Sequence, residues 1–371
     1  MKIVIDVTPL LIRSAGVKGV IYHWSQALLE EAAPGEVRLF PALGKLRPLD
    51  HERSVASRPR TALAILQWVL NNKYGLPVTE RYAGRGDVFH ATNQIWRPPA
   101  GPRLTATLHD VTAWKLPDKH HEGTLVLDDN WLRRVLRPAA GLLAVSEHTR
   151  RDAVEVLGLD PDKIKTVYNG VAEPYFRVRQ EETLAVRNRY GLAKPYVLQV
   201  GTIEPRKNTM RLLDAWQSLR WELRDFYDLI LIGPMGWADE AVQARIRSLP
   251  PGIRYLGYVP ESDLPALTKG ASLLAYPSLY EGFGLPIAQA MACGVAVLTS
   301  NTSSMPEVAG GGARLVDPQS QAEIAAALSD LLENKEERAR LGAAGRQIAL
   351  ERYRWPVVAR KSLDFFRHLD A

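Results

Sequence analysis

The chain has 371 residues, too many for one ordinary core, so its length suits two domains. With 46% hydrophobic and 24% charged residues and no low-complexity tract, it is globular, which excludes a disordered or fibrous chain. The net charge of +6 admits nucleic acid, an anionic membrane surface or a phosphorylated substrate as partner, beside the plainer reading of a solvated surface with surplus arginine.

The single cysteine, Cys293, rules out an internal disulfide and suits a reducing compartment. It precedes Gly294, where a small buried residue is commoner than a nucleophile. No apolar run approaches the ~20 residues of a membrane span. Ile3 to Val7 reads as a buried parallel strand, with Asp6 interrupting any signal-like core. Gly16-Val17-Lys18-Gly19 then reads as a glycine loop leading into a helix from about Val20 to Ala32. The loop lacks the full dinucleotide-binding spacing, but small residues there would leave room for a ligand at the strand ends.

Residues 44–60 are rich in Arg, Lys and Pro and predict an irregular loop. Ala62, Ile65, Leu66 and Val69 follow at helical spacing with Trp68 beside them. The spacing favours a core-facing helix, with docking on anionic lipid as the alternative. Residues 87–90 and 103–108 are further strands, the second ending at His109-Asp110, where α/β sheets assemble their sites. A strand over 142–146, a helix through Leu157 and a strand at Ile164 to Tyr168 complete the first alternation before the Asn169-Gly170 turn.

From Val171 to about Lys194 the pattern weakens into a linker with one short helix, then restarts with a strand at Tyr196 to Val200. Gly201 to Asn208 is a polar loop carrying Arg206 and Lys207, two cations placed to neutralise a diphosphate. Strands at Leu229 to Ile232 and Ile253 to Leu256 follow. The most informative stretch, Leu273 to Gly310, runs strand, loop, helix, strand. Its loop holds Glu281 and two glycines, Pro286 lies in the first helical turn, and Gly294 ends the helix. Outward-facing N–H groups at such a helix start bind phosphate. Gln289 stands eight residues after Glu281. After Pro318 the chain is helical, with a last helix from about Pro356 to the end.

Metal chemistry has little support. No His/Cys cluster has ligand spacing, and Asp160-Pro161-Asp162 suits turn and capping roles better than a cation site. Neither a Gly-x-Ser-x-Gly elbow nor a Walker A loop occurs.

Glu281 to Gly310, with Gly201 to Asn208, Ser146-Glu147, His109-Asp110 and Asn169-Gly170-Val171, resembles the GT-B glycosyltransferases of family 4, bacterial mannosyltransferases in particular. The resemblance implies an α/β chain of two Rossmann-like domains facing across a cleft. Residues 1–175 would bind the acceptor and 176–355 the nucleotide-sugar donor, with a C-terminal helix, 356–371, crossing back to the first domain. Glu281 would contact the donor sugar's hydroxyls and His109 would stand near the transferred sugar, the two catalytic positions. Arg206 and Lys207 would clamp the diphosphate beside Phe283, Gly284 and Leu285. Gly16 and Gly19 would line the donor from the first domain, and Val259 and Leu264 would lie near the base. Two positions depart from the family pattern. Gln289 replaces the second Glu of E-x7-E, which implies a weaker ribose contact, and Thr202 replaces a common Arg.

The implied reaction is metal-independent retaining transfer of a hexose to a lipid-linked or oligosaccharide acceptor in bacterial surface glycan synthesis. GDP-mannose is favoured over a UDP-hexose as donor, and no other cofactor is expected. The setting would be cytoplasmic, with peripheral contact on an anionic membrane and no nucleic-acid partner. A degenerate sugar-nucleotide-binding scaffold is the rival, and an epimerase acting on the nucleotide sugar the third reading.

Overall fold

A computed structural model describes residues 1–13, 16–83, 85–93, 95, 97–115, 128–236 and 240–369. The chain divides into one unit of residues 1–170 and 355–371 and a second of 171–354.

The first unit carries six parallel strands: β1 (Ile3–Asp6), β2 (Val37–Phe40), β3 (Val88–Ala91), β4 (Arg103–Leu108), β5 (Gly141–Ala144) and β6 (Ile164–Thr166), in the spatial order β2-β1-β3-β4-β5-β6. β1, β3 and β5 are buried at every residue, as expected of parallel strands covered on both faces. The strand order reverses between β1 and β3. In open α/β sheets that reversal opens a crevice at the carboxyl ends of the strands.

The helix α1 (Gly16–Glu31) begins earlier than the sequence suggests. Gly16 and Gly19 lie in its first turn, not in a loop before it. Lys18, between them, is fully buried, because its ammonium donates to the carbonyls of Ile12 (2.8 Å) and Arg53 (2.6 Å). Anchoring that cation draws residues 16–19 into the helix.

The helix α2 (Arg58–Asn72) overturns the core-facing expectation. Ala64 is buried, but Ile65, Leu66 and Trp68 are exposed, so spacing identified the helix and not the face that packs. The helix α3 (Trp355–Arg367) belongs to this unit and packs on α1, with Trp24 Nε1 donating to Ser362 Oγ at 3.0 Å. Gly170 makes room for it, since a Cβ there would come within 2.3 Å of the Trp355 indole. Its glycine is required by close approach, beyond any turn preference.

The second unit repeats the plan with β7 (Tyr196–Val200), β8 (Asp228–Ile232), β9 (Ile253–Tyr255), β10 (Leu273–Tyr276), β11 (Val297–Ser300) and β12 (Arg314–Val316), all parallel. The order β12-β11-β10-β7-β8-β9 puts the reversal between β7 and β10. Trp216, Leu212, Leu229, Leu273, Leu298 and Leu328 belong to a continuous core under this sheet. The stretch from Val171 to Lys194, expected as a linker, holds two helices, Glu173–Arg177 and Gln180–Arg189, within this unit. Tyr175 and Phe176 bury there, and Val171 pairs with Arg354 in an isolated bridge.

Candidate functional site

In the second unit the loops that leave β7 and β10 flank the reversal of strand order. Backbone and side chain tie them together. The Leu279 N–H donates to the Arg206 carbonyl at 2.8 Å, and Asn208 Nδ2 donates to the carbonyls of Pro277 (2.9 Å) and Pro318 (2.7 Å). Asn208 adopts φ +58°, a left-handed conformation that Asn tolerates better than most residues. Gly233, at the end of β8, is required by close approach: at φ +141°, its Cβ would lie 2.1 Å from the Gly201 carbonyl oxygen.

These loops bring the buried Glu281 together with the half-buried Arg206 and Lys207 in one network. Arg206 Nη1 donates to Glu281 Oε2 at 2.7 Å and Lys207 Nζ to Glu281 Oε1 at 2.7 Å. Arg206 also reaches the Tyr280 carbonyl (2.8 Å) and Glu204 Oε1 (2.7 Å). The Tyr276 hydroxyl accepts from Lys207 Nζ at 2.6 Å and donates to Glu281 Oε1 at 2.8 Å. Burial alone would push the Glu281 carboxyl up, but Arg206 and Lys207 outweigh it and hold it at about 2. Burial draws Lys207 below the ordinary lysine value against the pull of Glu281. Burial and the neighbouring carboxylate raise the Tyr276 phenol well above its usual range.

The sequence placed Arg206 and Lys207 as a clamp awaiting a diphosphate. The structure instead engages both with protein carboxylates, so any bound anion shares them with Glu281 and Glu204.

The backbone of the Glu281 loop is fixed by two serines. Ser303 Oγ and Ser304 Oγ donate to the Glu281 carbonyl at 2.5 and 2.9 Å, and Ser304 Oγ reaches the Phe283 carbonyl at 3.0 Å. Gly284, at φ +91°, caps a helix of residues Leu285–Cys293 with Pro286 in its first turn, and Gly294, at φ +71°, closes it. The chain thus turns from β10 into a helix start beside the Arg206–Lys207–Glu281 network, which favours a negative group at that point. Gln289 lies half-buried one turn into this helix. Val259 is buried beyond β9, and Leu264, half-buried, opens the helix Leu264–Lys269. Cys293 is buried and its thiol pushed up to about 12, the state of a structural residue.

In the first unit, His109 follows the end of β4, and its Nε2 lies 2.7 Å from the Thr92 carbonyl. Burial lowers its pKa, which keeps the imidazole neutral near pH 7. Thr92 Oγ1 in turn donates to the Asp6 carbonyl at 2.8 Å, so β1, β3 and β4 are linked at the strand reversal. Burial raises the Asp6 carboxyl to about 6, against two bonds from Thr8. His90, one strand residue away from Thr92's turn, sits between Thr105 Oγ1 (2.9 Å) and Thr107 Oγ1 (2.8 Å) as a buried structural histidine. A Cβ at Gly16 would meet nothing within 4 Å, and one at Gly19 only His51 and Leu49 at 3.5 Å. Packing within the chain therefore does not require glycine at either position.

Sequence reading missed Tyr276, Ser303 and Ser304. Tyr276 stands at a strand end five residues before Glu281, the one signal available; the serines come from beyond the next strand, and only the fold brings them in. Among the described residues no three His, Cys, Asp or Glu side chains converge as metal ligands do. Asp160 is used locally, accepting from the Asp162 N–H at 3.0 Å.

Two family models match this chain, Glycosyltransferase Family 4 over residues 15–173 and Glycosyl transferases group 1 over residues 181–348. The chain is 38% identical over 250 residues to the Escherichia coli O-antigen chain mannosyltransferase B, covering 67% of this chain and 65% of that one. It is 29% identical over 194 residues to the Escherichia coli serotype-specific mannosyltransferase WbdA, covering 50% of this chain and 24% of that one. The chain thus spans under two thirds of the length of these relatives. In fold it is similar to Anabaena HepE, solved in complex with UDP and glucose, with a TM-score of 0.72 at 18% identity over 99% of this chain and 100% of that one. Two six-stranded parallel sheets, the two family matches and this likeness agree, and the chain belongs to the GT-B glycosyltransferases of family 4.

Proposed function

We propose that this chain transfers a hexose, mannose by preference, from a nucleotide sugar to a lipid-linked or oligosaccharide acceptor in bacterial surface glycan synthesis. The observation that carries the reading is the Arg206–Lys207–Glu281 network beside the helix start at Leu285, where strand order reverses. Such a place suits a sugar diphosphate: two cations and a helix N-terminus for the phosphate oxygens, and a charged carboxylate to accept from the sugar hydroxyls. Similarity to the two Escherichia coli mannosyltransferases supports mannose, and GDP-mannose is the favoured donor. HepE was solved with UDP, which keeps a UDP-hexose as the second donor to test.

In this reading the reaction retains configuration and needs no metal. The diphosphate leaves on the face that the acceptor hydroxyl approaches, and a phosphate oxygen takes the hydroxyl proton as the new glycosidic bond forms. Arg206 and Lys207 stabilise the departing charge, and Glu281 orients the sugar hydroxyls. Neutral His109 lies near the transferred sugar and offers one hydrogen bond without adding charge. Gly16 and Gly19 leave space for the donor, the backbone of Phe283, Gly284 and Leu285 holds phosphate oxygens, and Gln289 accepts from the ribose. Val259 and Leu264 flank the base. The acceptor's lipid would bring the protein to the inner face of the cytoplasmic membrane.

Incubation with each nucleotide sugar, an extracted glycolipid fraction as acceptor and a readout of nucleoside diphosphate tests the proposal. Acceptor-dependent release with GDP-mannose is expected. Tight nucleotide binding with no release from any donor would favour the scaffold reading, which Gln289 and Thr202 motivate. Product without acceptor would favour an epimerase.

A further inference from the structure

Neither a diphosphate clamp nor a sugar contact calls for a tyrosine at 276, yet its phenol stands at the centre of the network. Tyr276 ends β10 and is 1% exposed. Three hydrogen bonds close a triangle: Lys207 Nζ to Tyr276 Oη (2.6 Å), Lys207 Nζ to Glu281 Oε1 (2.7 Å) and Tyr276 Oη to the same Oε1 (2.8 Å). The phenol thus accepts from the ammonium and gives its one proton to the carboxylate. With its pKa raised well above the usual range it stays neutral, so it directs the cation without adding charge. A phenylalanine would fill the same space and make neither bond.

An ammonium carries three N–H groups in a tetrahedral array, so fixing two of their directions fixes the third. Glu281 alone would leave the Lys207 ammonium free to turn about one hydrogen bond. Tyr276 removes that freedom. The root of the side chain is held as well, since the Lys207 N–H donates to the Glu204 carbonyl at 3.0 Å and its carbonyl accepts from Gln199 Nε2 at 3.1 Å. The third N–H has no acceptor among the described residues, and the Lys207 side chain keeps 12% of its surface exposed. Gly201 leaves one flank of the lysine uncovered, because a Cβ there would lie 3.5 Å from Lys207 Cε.

We infer that Tyr276 is a positioning residue whose hydroxyl aims the third Lys207 N–H at the donor phosphate that carries the sugar. The sugar-bearing phosphate is favoured over the one next to the nucleoside because Lys207 shares Oε1 of Glu281, the carboxylate that orients the sugar hydroxyls. A directed N–H is already in place when charge develops on that phosphate, and an ammonium free to turn is not. The inference rests on the sugar-nucleotide reading of this site and adds a residue that acts through Lys207.

Calorimetry of the full-length protein with GDP and GMP, and in parallel with UDP and UMP, tests this, because each pair differs by the phosphate in question. Wild type should prefer the diphosphate. Tyr276→Phe should shrink that preference about tenfold, the scale of one hydrogen bond to a charged group, with monophosphate affinity kept within about twofold. With Lys207→Met already in place, Tyr276→Phe should change the preference by less than about twofold, since its effect passes through the ammonium. Tyr196→Phe is the control for loss of a buried phenol. Its hydroxyl donates to the Leu267 carbonyl at 2.6 Å at the opposite end of β7, so this variant should lose stability and keep the preference. In transfer, Tyr276→Phe should lower kcat at least about tenfold. An undiminished preference in Tyr276→Phe, an equal loss for monophosphate and diphosphate, or a full effect in the Lys207→Met background overturns the inference. A wild type that binds none of these nucleotides sinks the transferase reading and the inference with it. One that binds and transfers, with Tyr276→Phe indistinguishable from it, sinks the inference alone.

Discussion

Replacing Glu281 by Gln tests the central network most directly. The carboxylate accepts from Arg206 and Lys207 at 2.7 Å each and is held at about 2, against an ordinary 4.5. That difference corresponds to ~3 kcal/mol of stability from this one group. It agrees with the ~3–5 kcal/mol typical of removing one partner from a buried ion pair, because Gln leaves two cations facing an uncharged amide. For a unit of this size the melting temperature should fall by roughly 6–12 °C at pH 7. The sign with pH follows from a depressed carboxyl. Its stabilisation is complete above about 4.5 and is lost as pH falls through about 2. Thermal unfolding followed by circular dichroism from pH 7 to pH 2 should therefore show wild type and Glu281→Gln far apart at neutral pH and converging in acid. A melting temperature within about 2 °C of wild type at pH 7, or a gap that persists unchanged to pH 2, would refute an ionised Glu281 paired with both cations. In transfer assays the same variant should lose at least ~100-fold in rate, the scale of removing a charge-stabilising group.

Three further outcomes are expected. Gln289→Glu should tighten nucleotide binding by calorimetry, since a carboxylate accepts ribose hydrogen bonds more strongly than an amide; unchanged or weaker affinity would remove Gln289 from the ribose contact. Gly233→Ala should destabilise the second unit by ~2 kcal/mol or more, because its Cβ would collide with the Gly201 carbonyl at 2.1 Å and φ +141° disfavours any side chain; an unchanged denaturation midpoint would refute this. With burial lowering the His109 pKa, any limb that this group contributes to the pH profile of transfer should lie below 6.5. A rate limb near 6.5 that His109→Asn removes would show that it titrates normally.

The stretch from Leu273 to Gly310 was legible because its boundaries are local. Gly284 and Gly294 take left-handed conformations that a helix start and stop require, and Pro286 sits where its missing N–H costs nothing. Strand runs such as Tyr196–Val200 were equally legible, since parallel strands buried on both faces must be continuously apolar. Face selection was not. Ile65 and Leu66 have the periodicity of a core helix, and nothing in residues 58–72 states which side the sheet will cover. Nor could local reading place the start of α1, which depends on Lys18 reaching the carbonyl of Arg53, thirty-five residues away.

By itself the sequence determined the class of fold, the order of its elements, the family resemblance and the residues that carry charge at the strand ends. Those properties follow from spacing, capping and the covalent order of the chain. Tertiary structure decided what the charges do. Arg206 and Lys207 come from the end of β7 and Glu281 from the end of β10, some seventy-five residues apart, and only the sheet order that sets those strands side by side converts two loop cations into partners of a buried carboxylate. Burial then changes its chemistry: out of water the carboxylate stays charged only because both partners are within hydrogen-bonding distance, a condition that depends on position in space and not on residue type.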